Sequence, residues 1–198
     1  MKKVLFVCVF ALLSVQMFSG SPLAGEEKPQ RMKPALLVID VQNMFLEMMD
    51  KDGKDFAMQM INYTIDLFRS NGYPVIRVYH TTPGYGPEPG TEPFEFPKSV
   101  MITEDDSKII KNYGDGFNKT DLDKVLKEKG ANTVFLCGLS AVGCVLSTYI
   151  GAKNHDYDAF LLKDALLSHR AEYTKKIEEI FGAIGYDAVK VMLQNAEK

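Results

Sequence analysis

The sequence predicts an α/β domain, a three-layer doubly wound sheet of about six mainly parallel strands with helices on both faces. From Pro34 onward, short apolar runs alternate with longer amphipathic stretches, the pattern of repeated strand-helix units that build a parallel sheet. Asp40, His80, Lys111 and the turn before Cys144 all fall at the carboxyl ends of apolar runs. Ligands of an open parallel sheet bind there. The chain has 198 residues, 46% of them apolar, with no second block of composition, so residues 34–198 read as one domain with a sizeable core.

Each element has its own signal. The strand candidates are 35–41, 74–80, 108–111, 133–138, 159–162 and 188–191. The first reads Ala35-Leu-Leu-Val-Ile-Asp40 and ends in a carboxylate; the third reads Ser107-Lys-Ile-Ile-Lys111 and ends in an ammonium. Helices are predicted over 55–71, 120–129, 142–154 and 171–184. In the first of them Phe56, Met60, Tyr63, Ile65 and Leu67 recur near helical spacing, and Asn71-Gly72 supplies a stop. Lys129-Gly130 and Phe181-Gly182 are similar stops. Residues 81–97 carry five prolines and three glycines and form no regular structure. A loop of that length after a strand end is expected to be a wall or lid over a pocket.

The N-terminus reads differently. Lys2 and Lys3 precede an apolar stretch over 4–13, and a region of small residues follows, Ser19-Gly-Ser-Pro-Leu-Ala-Gly25. This is the layout of a secretory signal peptide over 1–25, cleaved near Ser21, Ala24 or Gly25, with 26–33 as a polar leader. The stretch falls short of the roughly 20 residues that span a bilayer, so a periplasmic or secreted protein without a stable membrane span is expected. Cleavage also removes Cys8 and leaves Cys137 and Cys144, which is no disulfide framework, although a bond between the two stays open. Acids and bases are interspersed and the net charge is -3, so no basic stripe offers phosphate neutralisation and nucleic acid is excluded as a partner.

Cys144 is the most informative residue. It follows the apolar run Asn132-Thr-Val-Phe-Leu-Cys-Gly138 and the turn Leu139-Ser-Ala-Val-Gly143, at a strand-to-helix junction. A free thiol has a pKa of about 8.5 and becomes a nucleophile with help from a base, a cation or a helix N-terminus. A helix starting near Ala141 or Val142 would supply N–H groups and a dipole favouring negative charge. Gly143 lets the backbone approach a substrate closely. Asp40 is the candidate base, and Lys111 is the cation that keeps it ionised and favours the thiolate. Cys137, inside the strand, reads as a small buried hydrophobe. His80 reads as a pocket-wall or substrate-contacting residue, and His155 and His169 as surface residues.

At these positions the chain resembles the isochorismatase-like cysteine hydrolases, which include nicotinamidases and N-carbamoylsarcosine amidases. The resemblance lies in Leu36-Leu-Val-Ile-Asp-Val-Gln-Asn-Met-Phe45, in Lys111 followed by Phe117, Thr120 and Leu122, and in Cys137-Gly-Leu-Ser-Ala-Val-Gly-Cys-Val145. Thr148, Tyr157 and Asp164-Ala165 extend it, so that it covers Pro34 to about Ser168 in order. It implies a Rossmann-like fold and an Asp40, Lys111, Cys144 triad. It also implies a cis peptide joining Leu139 to Ser140 and an oxyanion hole made of the Ser140 and Cys144 backbone N–H groups. A homo-oligomer and no cofactor are implied as well.

There are departures. The nicotinamidase metal site needs an Asp-x-His and further histidines after the second strand, whereas this chain reads Val78-Tyr-His-Thr-Thr-Pro83 with no histidine soon after, so no metal is expected. Asp115-Gly116 stands where Ser-Ala is common, at the expected pocket floor, and Ser140 replaces a common Ala. The implied function is cleavage of a carbon-nitrogen bond in a small amide, carbamoyl or ureido compound through a thioester, with Phe45, His80, Tyr85, Phe94 and Phe117 as candidate substrate-binding residues. The alternatives are vinyl-ether hydrolysis of the isochorismatase type, a catalytically idle binding or assembly module, and a thiol redox protein cycling through Cys137 and Cys144.

Overall fold

The computed structural model describes residues 31–197. The expected signal segment, Cys8 and most of the 26–33 leader lie outside the described residues. The elements, in chain order, are β1 (Pro34–Ile39), α1 (Asn43–Glu47), α2 (Lys54–Ser70), β2 (Val75–His80), β3 (Ser107–Lys111), α3 (Leu122–Glu128), β4 (Thr133–Leu139), a wide turn over Ala141–Val145, α4 (Leu146–Asn154), β5 (Asp158–Leu167), α5 (Ala171–Ile180) and α6 (Tyr186–Gln194).

The five strands form one sheet in the order β3-β2-β1-β4-β5. Every pairing is parallel. The central strands β1 and β4 are buried along their whole length, which is why both read as unbroken apolar runs rather than alternating ones. Period-two geometry sends successive side chains to opposite faces. Leu36, Val38, Phe135 and Cys137 pack on one face with Ile61, Ile65 and Phe68 of α2 and Val189 and Leu193 of α6. Ala35, Leu37, Ile39, Val134 and Leu136 pack on the other with Leu122 and Leu126 of α3, Ala152 of α4 and Ile177 of α5. The sheet is therefore wound with helices on both faces.

The sixth expected strand is absent, because residues 188–191 belong to α6. Val189 and Leu193, four residues apart, are each 1% exposed, while Val191 is 59% exposed. Burial at i and i+4 with exposure between them is helical spacing, and four residues are too few to reveal it in sequence. Past β5 the sheet gains only a bridge between Leu162 and Ile184. Strand β5 itself runs beyond the expected end at Leu162 through a bulge: Leu136 pairs with Leu161, but Gly138 pairs with Leu166.

The 81–97 segment carries no strand or helix, as expected. Its second half is tied back to α1, with Asn43 N–H donating to the Glu95 carbonyl at 2.9 Å and Met44 N–H to the Pro93 carbonyl at 3.0 Å. Phe94 and Phe96 lie over Tyr79, at centroid distances of 4.9 and 4.4 Å. This half of the loop is packed from inside by its own aromatic rings.

Candidate active site

Asp40 follows β1 directly. Its N–H donates to the Val78 carbonyl at 2.8 Å, so sheet pairing continues to the residue that carries the carboxylate. Its backbone then turns left-handed, with φ +52, a region that Asp tolerates better than most residues. On the β4 side the approach is closed by Gly138, at φ +109, where a Cβ would run into the Ile39 carbonyl. Only glycine lets β4 sit this close to the end of β1.

The register of β2 and β3 sets His80 beside Lys111. Lys111 Nζ donates to Asp40 Oδ2 at 2.8 Å and lies 3.0 Å from His80 Nδ1. The lysine side chain is 0% exposed and that of Asp40 4%, so the pair is held out of water. Asp40 Oδ1 is buried and has no oxygen or nitrogen partner. Asp40 oxygen, His80 nitrogen and Cys144 Sγ lie within 4.8 Å of one another. Three strand ends and the turn after β4 thus bring the expected triad together, with His80 as an immediate neighbour.

The peptide joining Leu139 to Ser140 is cis. The Ser140 carbonyl then accepts from both Gly143 N–H, at 2.8 Å, and Val145 N–H, at 3.2 Å. Gly143 departs from helical dihedrals, with φ -124 and ψ -109. Cys144 therefore sits in a wide turn ahead of α4 rather than in the first turn of a regular helix.

That placement corrects one expectation. Burial pushes the Cys144 thiol up to about 12, the Asp40 carboxylate pushes it the same way, and Lys111 opposes them without prevailing. Burial and the Asp40 carboxylate thus favour the thiol over the thiolate. Burial also raises the Asp40 carboxyl above its ordinary value, despite Lys111.

The donor set Asp40, His80 and Cys144 matches the types that bind zinc. It does not fit a metal ion as arranged, because the Lys111 ammonium already takes an oxygen of Asp40 and faces the Nδ1 of His80. A dication there would meet a buried positive charge at contact distance.

The aromatic candidates separate. Phe45 is half-buried and sets its ring edge-on to His80 at 5.8 Å. Tyr85 is 90% exposed at the loop tip. Phe94 is fully buried under the loop, and Phe117 lies in the core against Tyr157 and the His155 ring. Phe94 and Phe117 are both core residues, held there by hydrophobic burial. Asp115 and Gly116 pack on α4: Gly116 N–H donates to Thr148 Oγ1 at 2.9 Å, and a Cβ on Gly151 would overlap the Asp115 carboxylate. This departure from the family pattern therefore lies against a helix. His155 and His169 are exposed, as read.

Cys137 packs on the α2 face of the sheet and Cys144 on the α3 face. Both are free, and the backbone of β4 lies between their faces, which speaks against a disulfide cycle between them. Sequence reasoning gave no role to Gln42. Its side chain is fully buried and clamps the backbone of His80, accepting from His80 N–H at 2.7 Å and donating to His80 C=O at 3.0 Å. An amide two residues after a strand-end acid was the available signal. A cleft of about 530 Å³ lined by Pro34, Tyr73, Pro74 and Ala131 opens at the amino ends of the strands, away from this chemistry.

Comparison with known proteins places this geometry. The isochorismatase domain model matches residues 34–185. An uncharacterized isochorismatase family protein of Bacillus subtilis (strain 168), YrdC, is 29% identical over 136 residues, which is 67% of this chain and 73% of that one. An Arabidopsis thaliana protein named as a probable inactive nicotinamidase is 32% identical over 146 residues, 62% of this chain and 74% of that one. Among solved structures, N-carbamoylsarcosine amidase from Thermoplasma acidophilum superposes with a TM-score of 0.67 at 26% identity, over 78% of this chain and 95% of that one. Pyrazinamidase of Pyrococcus horikoshii in complex with zinc gives 0.65 at 26% identity, over 76% and 94%. The domain match, the five-stranded parallel sheet and these neighbours agree: the chain belongs to the isochorismatase family and has the fold of its hydrolases.

Proposed function

We propose that the protein is a cysteine hydrolase that cleaves a carbon-nitrogen bond of a small amide, carbamoyl or ureido compound. The observation that carries this reading is the buried Asp40–Lys111 pair at 2.8 Å with the Cys144 thiol beside it. The amidase neighbours support the substrate class.

In the proposed reaction the substrate carbonyl sits over Sγ. Asp40 takes the thiol proton as the carbon-sulfur bond forms. A thiol pushed up to about 12 is a strong nucleophile once deprotonated and needs its base in place at that moment. The carbonyl oxygen gains the negative charge and is held by the Ser140 and Cys144 backbone N–H groups. Asp40 returns its proton to the departing nitrogen as the carbon-nitrogen bond breaks, leaving a thioester. Water, deprotonated by Asp40, then attacks the thioester and restores the thiol with release of the acid. Lys111 compensates the carboxylate throughout, and burial of the pair strengthens that attraction. Phe45 and the exposed Tyr85 are the remaining candidates for contact with substrate.

The test is ammonia release from the purified protein across a panel of small amides and ureides. Cys144→Ala is expected to abolish release while leaving the protein folded, and Asp40→Asn and Lys111→Ala each to lower it at least about a hundredfold. Release that survives Cys144→Ala overturns the mechanism. A second reading, a catalytically idle binding module on the same fold, is favoured by the relative named as probably inactive. Silence across the panel together with a Cys144 that no electrophile labels would select it.

A further inference from the structure

The proposed triad does not exhaust the hydrogen-bonding geometry around Lys111. The ammonium has two neighbours that fix its direction, Asp40 Oδ2 at 2.8 Å and His80 Nδ1 at 3.0 Å. An ammonium offers donors only. The Nδ1 that faces it must then be the unprotonated nitrogen of the ring, and the proton belongs on Nε2, which lies 3.0 Å from Thr82 Oγ1. The imidazole has little freedom to do otherwise. Gln42 clamps the His80 backbone from both sides, and the Phe45 ring stands edge-on to the imidazole at 5.8 Å. A buried amide with no other visible task is spent on holding this one residue.

We infer that His80 is a positioning residue, whose neutral ring accepts a hydrogen bond from Lys111 at Nδ1 and so holds the ammonium against Asp40 beside Cys144. The inference rests on the cysteine-hydrolase reading for its consequence but not for its geometry. It reassigns His80 from substrate contact to the support of Lys111. The groups that face the ring are Lys111 from β3, Asp40 from the end of β1, Cys144 from the turn after β4, Thr82 Oγ1, and the Tyr113 backbone beyond β3, which favours a protonated ring. Burial and the Lys111 charge hold the ring below its ordinary ionisation range, and the Asp40 charge and the Tyr113 backbone oppose them. A proton added to Nδ1 would set two cations against each other at hydrogen-bond distance in a buried site, and Lys111 would lose one of its two anchors.

The experiment uses the full chain and reads Cys144 directly, so no substrate is needed. The rate of Cys144 carboxamidomethylation by iodoacetamide is followed from pH 5 to 9, with the Cys144 peptide identified by mass. His80→Asn keeps an acceptor near the Nδ1 position and cannot titrate, whereas His80→Ala removes it. In the native protein the rate is expected to show an additional acid-side fall below about pH 6.5, the ordinary histidine value. His80→Asn should lose that fall while keeping the rate at pH 8 within about threefold, and His80→Ala should lower the rate at pH 8 at least tenfold. A native profile in His80→Ala, or loss in His80→Asn equal to that in His80→Ala, overturns the inference. Nitrogen NMR of the native imidazole at pH 7.5 guards against a variant that fails to fold: Nδ1 without a proton and Nε2 with one is expected, and the opposite tautomer overturns the inference. Failure of amide hydrolysis with these results intact would overturn the proposed reaction and leave the positioning role standing.

Discussion

Lys111 and Asp40 are each almost inaccessible to solvent, and desolvating two ions costs several kcal/mol per ion before their attraction offsets it. Such a pair is a poor way to stabilise a fold and a good way to hold a base. Lys111→Met alone should destabilise the protein by about 3–5 kcal/mol, because it strands a buried carboxylate. The double variant Asp40→Asn with Lys111→Met should recover most of that loss in denaturant melts, yet remain inactive. A double variant no more stable than the single one would mean that the pair contributes net stability. In sequence, Asp40 and Lys111 were legible because each closes an apolar run, and Cys144 because it follows one across a short turn. The raised thiol was not legible, since burial and the distance to Asp40 are properties of the folded site.

At the scale of elements, two positions test how the sheet is assembled. Gly138 lies where β4 meets the end of β1, at a positive φ and with the Ile39 carbonyl in the space of a Cβ. Gly138→Ala is therefore expected to cost at least about 2 kcal/mol and to displace Asp40, so that activity falls more than stability alone explains. Gly53, also left-handed at φ +76 but open on all sides, should accept Ala at about 1 kcal/mol, the backbone penalty alone. In α6, Val191→Lys should change stability by less than about 0.5 kcal/mol, whereas Val189→Ala, in the core, should cost about 1–3 kcal/mol. Equal costs at the two positions would restore the strand reading of 188–191. The candidates at 108–111 and 159–162 proved to be strands although they are as short as the one at 188–191; over four residues period two and period 3.6 do not differ, and it is the packing of Val189 and Leu193 that makes the last one helical.

At the scale of the whole molecule, export is the open proposal. We propose that the 1–25 segment is removed on export, and the intact mass of protein recovered from the native host outside the cytoplasm should begin after Ser21, Ala24 or Gly25. An unprocessed N-terminus in the cytoplasm overturns this. Among the described residues no helix is long and apolar enough to cross a membrane. The amino-acid sequence by itself determined the α/β class, the five strands and four of the six helices, and singled out Asp40, Lys111 and Cys144 as candidates, because periodicity and strand-end chemistry are local and survive without coordinates. Tertiary structure alone decided three further things: that Phe94 and Phe117 are core, that Cys137 and Cys144 face opposite sides of the sheet, and that His80 and Gln42 stand behind Lys111. Each of those depends on which strand lies beside which, and with what register. Contacts between residues dozens of positions apart, such as Gln42 with His80 or Asp40 with Lys111, leave no periodic trace in one chain.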